Sequence, residues 1–186
     1  MRKLIGCFCF LVLFSFSILG QNPESIPLDP GLYYQQKTGF LRVEGQAISF
    51  ARTGSRLVST ATFGVKSAKI NAQILGSRAR LTVERTPVFY YRVPSANEAL
   101  GGSAGDLLLV RMKVKGKRRQ FEIGSAGQWR ASSGISLRSQ YPCARDQVAS
   151  GLYRISASET LDRGEYGLYL FRGHDLPGFL YDFTVE

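Results

Sequence analysis

Side chains able to do chemistry are few in this chain, and they are scattered. His174 is the sole histidine, and of three cysteines only Cys143 lies outside the first ten residues. A Cys143–His174 pair is the one combination offering a thiol nucleophile and a base. Yet His174 falls between the last two strand patterns and Cys143 ahead of an earlier one, so their spacing does not bring them together. Metal sites built on two or more histidines are excluded. No Gly-x-Ser-x-Gly elbow joins a strand to a helix. The glycine-rich pieces Gly124-Ser-Ala-Gly127 and Gly101-Gly-Ser-Ala-Gly105 lack the lysine and following helix of a phosphate-binding loop, and read as turns. Asp162, Glu165, Asp175 and Asp182 leave a glycosidase-type carboxylate pair open, provided two of them face one concave pocket. No motif implies a cofactor.

Two charged groupings remain as binding candidates. Lys113, Lys115, Lys117, Arg118 and Arg119 surround one tight turn at Gly116, with Arg163 expected at a neighbouring corner and Arg78 and Arg80 on an earlier loop. Such a patch suits phosphate-bearing polymers, through many weak contacts that salt erodes. The same residues also suit a solvated hairpin whose charges prevent edge-to-edge pairing. At the opposite end, Glu98, Asp106, His174 and Asp175 would meet if the connecting loops converge. Their oxygens could take a divalent cation or a polar ligand, but no Asp-x-Asp spacing is present and no metal set is assigned.

The elements that must position these groups are strands. Apolar residues recur with period two almost everywhere, and long helical stripes are missing. At the C-terminus Phe179, Tyr181, Phe183 and Val185 alternate with Leu180, Asp182, Thr184 and Glu186, giving one aromatic face and one mostly polar face. Residues 105–124 read as a hairpin with Leu108, Val110, Met112 and Val114 on one face and Arg111, Lys113 and Lys115 on the other. Further strands are expected at 32–36, 40–43, 47–51, 56–62, 69–74, 80–84, 88–93, 152–157 and 165–171. Only 95–100 has the pattern of a short helix, which Gly101 and Gly102 would stop.

The segment Leu161-Asp-Arg-Gly164-Glu-Tyr166 joins two strand patterns and resembles the tyrosine corner of immunoglobulin-like sandwiches. That resemblance implies that the Tyr166 hydroxyl bonds back to backbone a few residues upstream while Leu161 plugs the corner from beneath. The strands at 152–157 and 179–185 then take the fifth and last places. The paired cysteines and buried Trp of antibody domains are lacking, since Trp129 lies in a Gly/Ser-rich stretch. As a whole the chain is similar to uncharacterised secreted bacterial β domains, which open with a Gly-x-Tyr-Tyr hairpin, here Gly31 to Val43, carry an apolar-aromatic strand ending in proline, here Phe89 to Pro94, and close with Gly-Glu-Tyr-Gly, here Gly164 to Gly167. This implies a shared β fold and an extracytoplasmic setting, and transfers no functional residue.

The N-terminus sets the expected location. Arg2 and Lys3 precede an uncharged apolar run from Leu4 to Leu19 that ends in small residues, the pattern of a secretory signal peptide cut after Gly20 or Ser17. Neither Cys7 nor Cys9 sits at a cleavage point, so no lipid anchor is expected. Without Arg2 and Lys3 the 24 basic residues fall to 22 against 14 acidic ones, an excess of eight that favours acidic partners. A single remaining cysteine allows no internal disulfide, and stability must come from apolar burial.

The reading is an all-β, immunoglobulin-like antiparallel β-sandwich over 66–186 with an additional N-terminal β-hairpin region over 31–65, preceded by a leader (1–20) and a flexible segment (21–30). The function expected is a secreted or periplasmic, non-catalytic binding module of the cell envelope that engages a protein or an anionic polymer. The alternative is a small secreted hydrolase using carboxylates. Specific nucleic-acid binding is not expected, because the aromatic residues alternate into the core rather than forming stacking platforms. Nor is a membrane span expected once the leader is removed.

Overall fold

The computed structural model describes residues 26–53, 68–94, 104–126, 131–133, 135–170 and 178–186. The expected leader, the expected strand at 56–62, the helix candidate at 95–100 and Trp129 lie outside them. Among the described residues the only helical piece is a single 3-10 turn, Ala104–Asp106, and no helix is long and apolar enough to cross a membrane.

The strands divide into two sheets, as the period-two pattern predicts. The first has five strands. β1 (Gly31–Gln36) pairs with β2 (Gly39–Val43) and β7 (Val88–Arg92). β7 continues to β13 (Leu152–Ala157) and then to β12 (Cys143–Ala149), so the order is β12-β13-β7-β1-β2. The second sheet is longer and curls. Its order runs β3 (Gln46–Ala47), β15 (Phe179–Val185), β14 (Gly164–Leu170), β8 (Leu107–Lys115), β9 (Arg118–Ala126), β5 (Ala68–Leu75), β4 (Ser49–Thr53). Three short strands attach to it: β6 (Thr82–Val83) beside β15, β10 (Ala131–Ser133) beside β9 and β11 (Gln140–Tyr141) beside β8.

The core of this arrangement, β12-β13-β7-β1 facing β15-β14-β8-β9, has the strand order of an immunoglobulin-like sandwich with a variable-type extension. The expected fifth and last strands stand where that topology requires. Residues from 31 onward are shared between the sheets: β1 and β2 extend the first, whereas β3 and β4 join the second. Because β3 and β4 sit at opposite ends of the second sheet and only Ile48 separates them in sequence, the chain draws those ends together into a nearly closed barrel.

Two apolar cores result. Between the sheets lie Leu32, Phe89, Tyr91, Leu107, Leu109, Leu168, Phe183 and Val185 with their neighbours. Phe89 packs on Phe183 with centroids 5.0 Å apart, and Tyr166 stacks on Phe183 at 6.0 Å. Truncating a fully buried ring of this kind typically costs about 3–5 kcal/mol, so such a core holds the fold without disulfides. The barrel interior takes Ile48, Ala72, Ile74, Val110, Met112, Phe121, Tyr169 and Leu180. β8 therefore serves both cores, Leu107 and Leu109 on one side and Val110 and Met112 on the other, which explains its unbroken apolar start. Val114, expected on the inner face, reaches the barrel end and is half exposed.

The corner is built differently from the sequence expectation. Leu161 is buried beneath it as expected; its N–H donates to the Arg85 carbonyl, and its own carbonyl accepts from Arg85 Nε, both at 2.9 Å. Gly164 opens β14. Tyr166 is fully buried, yet no protein group among the described residues hydrogen-bonds its hydroxyl. No bond back to upstream backbone is made among the described residues, and the ring is held by packing instead. It stacks on Phe183, meets Tyr141 edge-on at 5.5 Å and carries the Arg111 guanidinium 5.6 Å above it. Arg111 donates to the Tyr141 hydroxyl at 3.1 Å, a bond that raises the arginine pKa further.

Candidate functional site

β14 and β15 each turn one set of side chains into the barrel, and at one end that set is polar. Glu165 from β14 and Asp182 and Thr184 from β15 are buried there, and Arg119 enters from β9, 2% exposed. Strand register explains the arginine. β8 and β9 pair with Val114 opposite Arg119, so Arg119 shares the inward face that begins with Val110 and Met112. Arg119 Nη1 donates to Asp182 Oδ2 at 2.6 Å and to Glu165 Oε2 at 3.1 Å, while Nε donates to the Gly76 carbonyl at 3.0 Å. Asp182 Oδ1 accepts from Gln46 Nε2 at 2.6 Å, Glu165 Oε1 from the Thr184 hydroxyl at 2.8 Å, and Glu165 Oε2 also from the Ala79 N–H at 2.9 Å. Every carboxylate oxygen of the pair is thus engaged. The cluster ties β3, β5, β9, β14, β15 and the loop after β5 together.

Arg119 therefore stands apart from the cationic patch in which its sequence position places it. The other members stay outside. Lys115 lies opposite Arg118 across the ladder and Lys113 opposite Gln120, so these side chains share the barrel's outer face. Lys113 and Lys115 line a groove of about 210 Å³ together with Lys69 of β5 and Arg138 from the segment before β11, with Ser136, Ser139, Asn71 and Gln120 between them. One carboxylate belongs to the groove, Glu122, which pairs with Lys69 at 2.7 Å. Arg118 Nη1 donates to Gln73 Oε1 at 3.2 Å beside it.

The turn itself is made by Gly116, whose φ of 58° suits a residue without Cβ. Lys117 follows, exposed, its carbonyl accepting from the Gly76 N–H at 2.9 Å, which brings the loop bearing Arg78 and Arg80 beside the hairpin tip. Arg163 is exposed at the corner, where its carbonyl accepts from Arg111 Nη2 at 3.3 Å. Lys69 and Arg138 were not legible as site residues. They arrive from a strand about forty residues earlier and a segment about twenty later, and no local pattern marks them.

A second concavity, of about 760 Å³, opens at the polar end of the barrel against the edge of the first sheet. Arg119 and Asp182 lie at its base. The expected loop-end cluster is seen only in part: Asp106 is half-buried at the end of the 3-10 turn, while Glu98, His174 and Asp175 lie outside the described residues. Cys143 is a free, half-buried thiol at the start of β12. Among the described residues no three His, Cys, Asp or Glu side chains gather as a metal would require. Asp162, the remaining acid of interest, is exposed between Arg85 and Arg111, 3.7 and 3.6 Å away.

Comparison with protein-family models, with curated proteins and with solved structures finds no match for this chain.

Proposed function

We propose that this chain is an exported, non-catalytic binding module of the bacterial cell envelope, and that it engages an anionic polymer through the outer groove of the barrel. The observation that carries this reading is the convergence of Lys69, Lys113, Lys115 and Arg138 on one polar groove that contains a single carboxylate. Lys113, Lys115 and Arg138 have no ion-pair partner among the described residues, so their charge is directed at solvent. The serine hydroxyls and side-chain amides between them add donors suited to phosphate or sulfate oxygens. Phe121, the ring beside the groove, is 3% exposed and offers no platform for stacking bases, which favours recognition of backbone charge over bases. Export is supported by the basic and then apolar N-terminal run.

The test is binding to long-chain polyphosphate. Lys113→Gln, Lys115→Gln and Arg138→Gln combined should weaken binding at least tenfold and flatten its salt dependence, because fewer counterions are released. The control carries Lys37→Gln, Arg154→Gln and Arg163→Gln, an equal loss of charge placed elsewhere. Equal weakening in the two variants would reject a localised site.

A further inference from the structure

The two edges of the five-stranded sheet are treated differently. β12, at one edge, is interrupted by a register shift between Gln147 and Ala149 and carries Arg145 and Asp146, devices that discourage further pairing. β2, at the other, runs in unbroken register with β1 and has no partner strand on its outer side among the described residues. It contains no proline and one charge, Arg42. Alternate residues of such a strand turn N–H and C=O groups outward, ready to pair.

That open edge forms one wall of the larger cleft. Leu41, Arg42 and Val43 of β2 line it, and Leu75, Arg80 and Leu81 face them from the barrel side. Leu41 is 42% and Leu75 76% exposed, an apolar pair at the mouth of a polar-based cavity. Its lining is net cationic, with Arg42, Arg78, Arg80 and Arg119 against Glu44 and Asp182. Arg80 has no ion-pair or hydrogen-bond partner among the described residues, whereas Arg42 and Arg78 hold only solvent-exposed pairs, with Glu44 at 3.7 Å and with Glu186. Exposed pairs of this kind are weak, so either arginine can exchange its partner for an incoming carboxylate.

We propose that this cleft receives an extended, acidic segment of a partner protein, which adds to β2 as a further antiparallel or parallel strand. Main-chain hydrogen bonds to β2 supply the affinity, and alternate side chains of the segment divide between Leu41 and Leu75 on one side and the arginines on the other. β2 has five residues, which at ~3.4 Å per residue is an edge about 17 Å long, enough for a segment of similar length. The site shares no lining residue with the Lys113 groove, so the two can be separated by mutation.

The experiment uses a displayed library of random hexapeptides, selected on the full mature protein and counter-selected on Leu41→Asp/Arg80→Glu, two exposed positions at which the fold should persist. Enrichment of sequences alternating acidic with apolar residues is expected. The best synthetic peptide should bind the double variant at least tenfold more weakly and should lose binding when alternate amides are N-methylated. Lys113→Gln/Lys115→Gln should leave its binding unchanged, which keeps failure here distinct from failure of the groove reading. Absence of enrichment, enrichment without acidic residues, tolerance of N-methylation, or binding of dodecyl phosphate at the cleft without any peptide selection would each overturn the proposal.

Discussion

Tyr166→Phe should stabilise this protein, opposite to what a tyrosine corner would require. A corner hydroxyl bonded to backbone contributes about 1 kcal/mol, lost when it is removed. Here the hydroxyl is buried and, although the Tyr141 hydroxyl interacts with it electrostatically, no group among the described residues makes a hydrogen bond of good geometry to it, so the folded state carries much of the desolvation cost of an unpaired polar group, about 1–3 kcal/mol. The phenylalanine ring would keep the stack on Phe183, the edge contact with Tyr141 and the guanidinium of Arg111 overhead. A net gain of about 1 kcal/mol is expected, or a rise of about 2–4 °C in Tm for a domain of this size.

A pH arm makes the same argument independently. Burial pushes the Tyr166 phenol from its ordinary value near 10 up to about 12. Because the folded pKa is the higher one, the unfolded chain loses this proton first as pH rises, and stability linked to Tyr166 is intact below pH 10 and lost between about 10 and 12. One pKa unit corresponds to about 1.4 kcal/mol, so the loss amounts to about 3 kcal/mol at most. The Phe variant lacks that component and should lose stability less steeply above pH 10. Some slope should remain, since burial also raises Tyr34 and Tyr169. Urea unfolding of both proteins from pH 7 to 11.5 reads both effects. A variant destabilised by 1 kcal/mol at pH 7, or parallel curves through the alkaline range, would refute the reasoning.

Three further single substitutions examine the barrel. Arg119→Met strands Glu165 and Asp182 in a buried site and should cost about 3–5 kcal/mol in chemical unfolding, whereas Arg119→Met/Glu165→Leu/Asp182→Leu should recover most of it; a single variant as stable as the parent would show that the cluster does not hold the barrel end. Gly178→Ala places a Cβ 2.4 Å from the Tyr169 ring and 2.5 Å from the Leu170 carbonyl, and should cost about 1–3 kcal/mol by overpacking. Gly167→Ala meets the Leu180 side chain at 2.7 Å and the Tyr181 carbonyl at 3.3 Å, looser contacts than those at Gly178, and should cost less; thermal melts that rank the two the other way would contradict the packing at β15.

The sheets were legible because period two survives in single strands. Phe183 and Val185 face the inter-sheet core as their alternation requires, while Phe179 is partly exposed because it only begins its strand. The misleading face was the other one. Asp182 and Thr184 look solvated when β15 is read alone, and Lys-Arg-Arg after Gly116 looks like a charged tip. Asp182, Thr184 and Arg119 are nevertheless buried, because a second layer of barrel wall covers them and because Arg119 arrives from 63 residues away to neutralise Asp182. One local signal was present: counting outward from the Gly116 turn pairs Arg119 with Val114, and so sets it on the same face as Met112. What no strand could disclose is closure, since only the ends of a seven-strand path reveal that β3 and β4 meet. Both concavities follow from it. The Lys113 groove needs β5 laid beside β9, and the arginine-rimmed cleft needs the barrel end brought against β2. The residues most exposed to a ligand in each therefore come from distant parts of the chain, and local charge patterns could name only some of them.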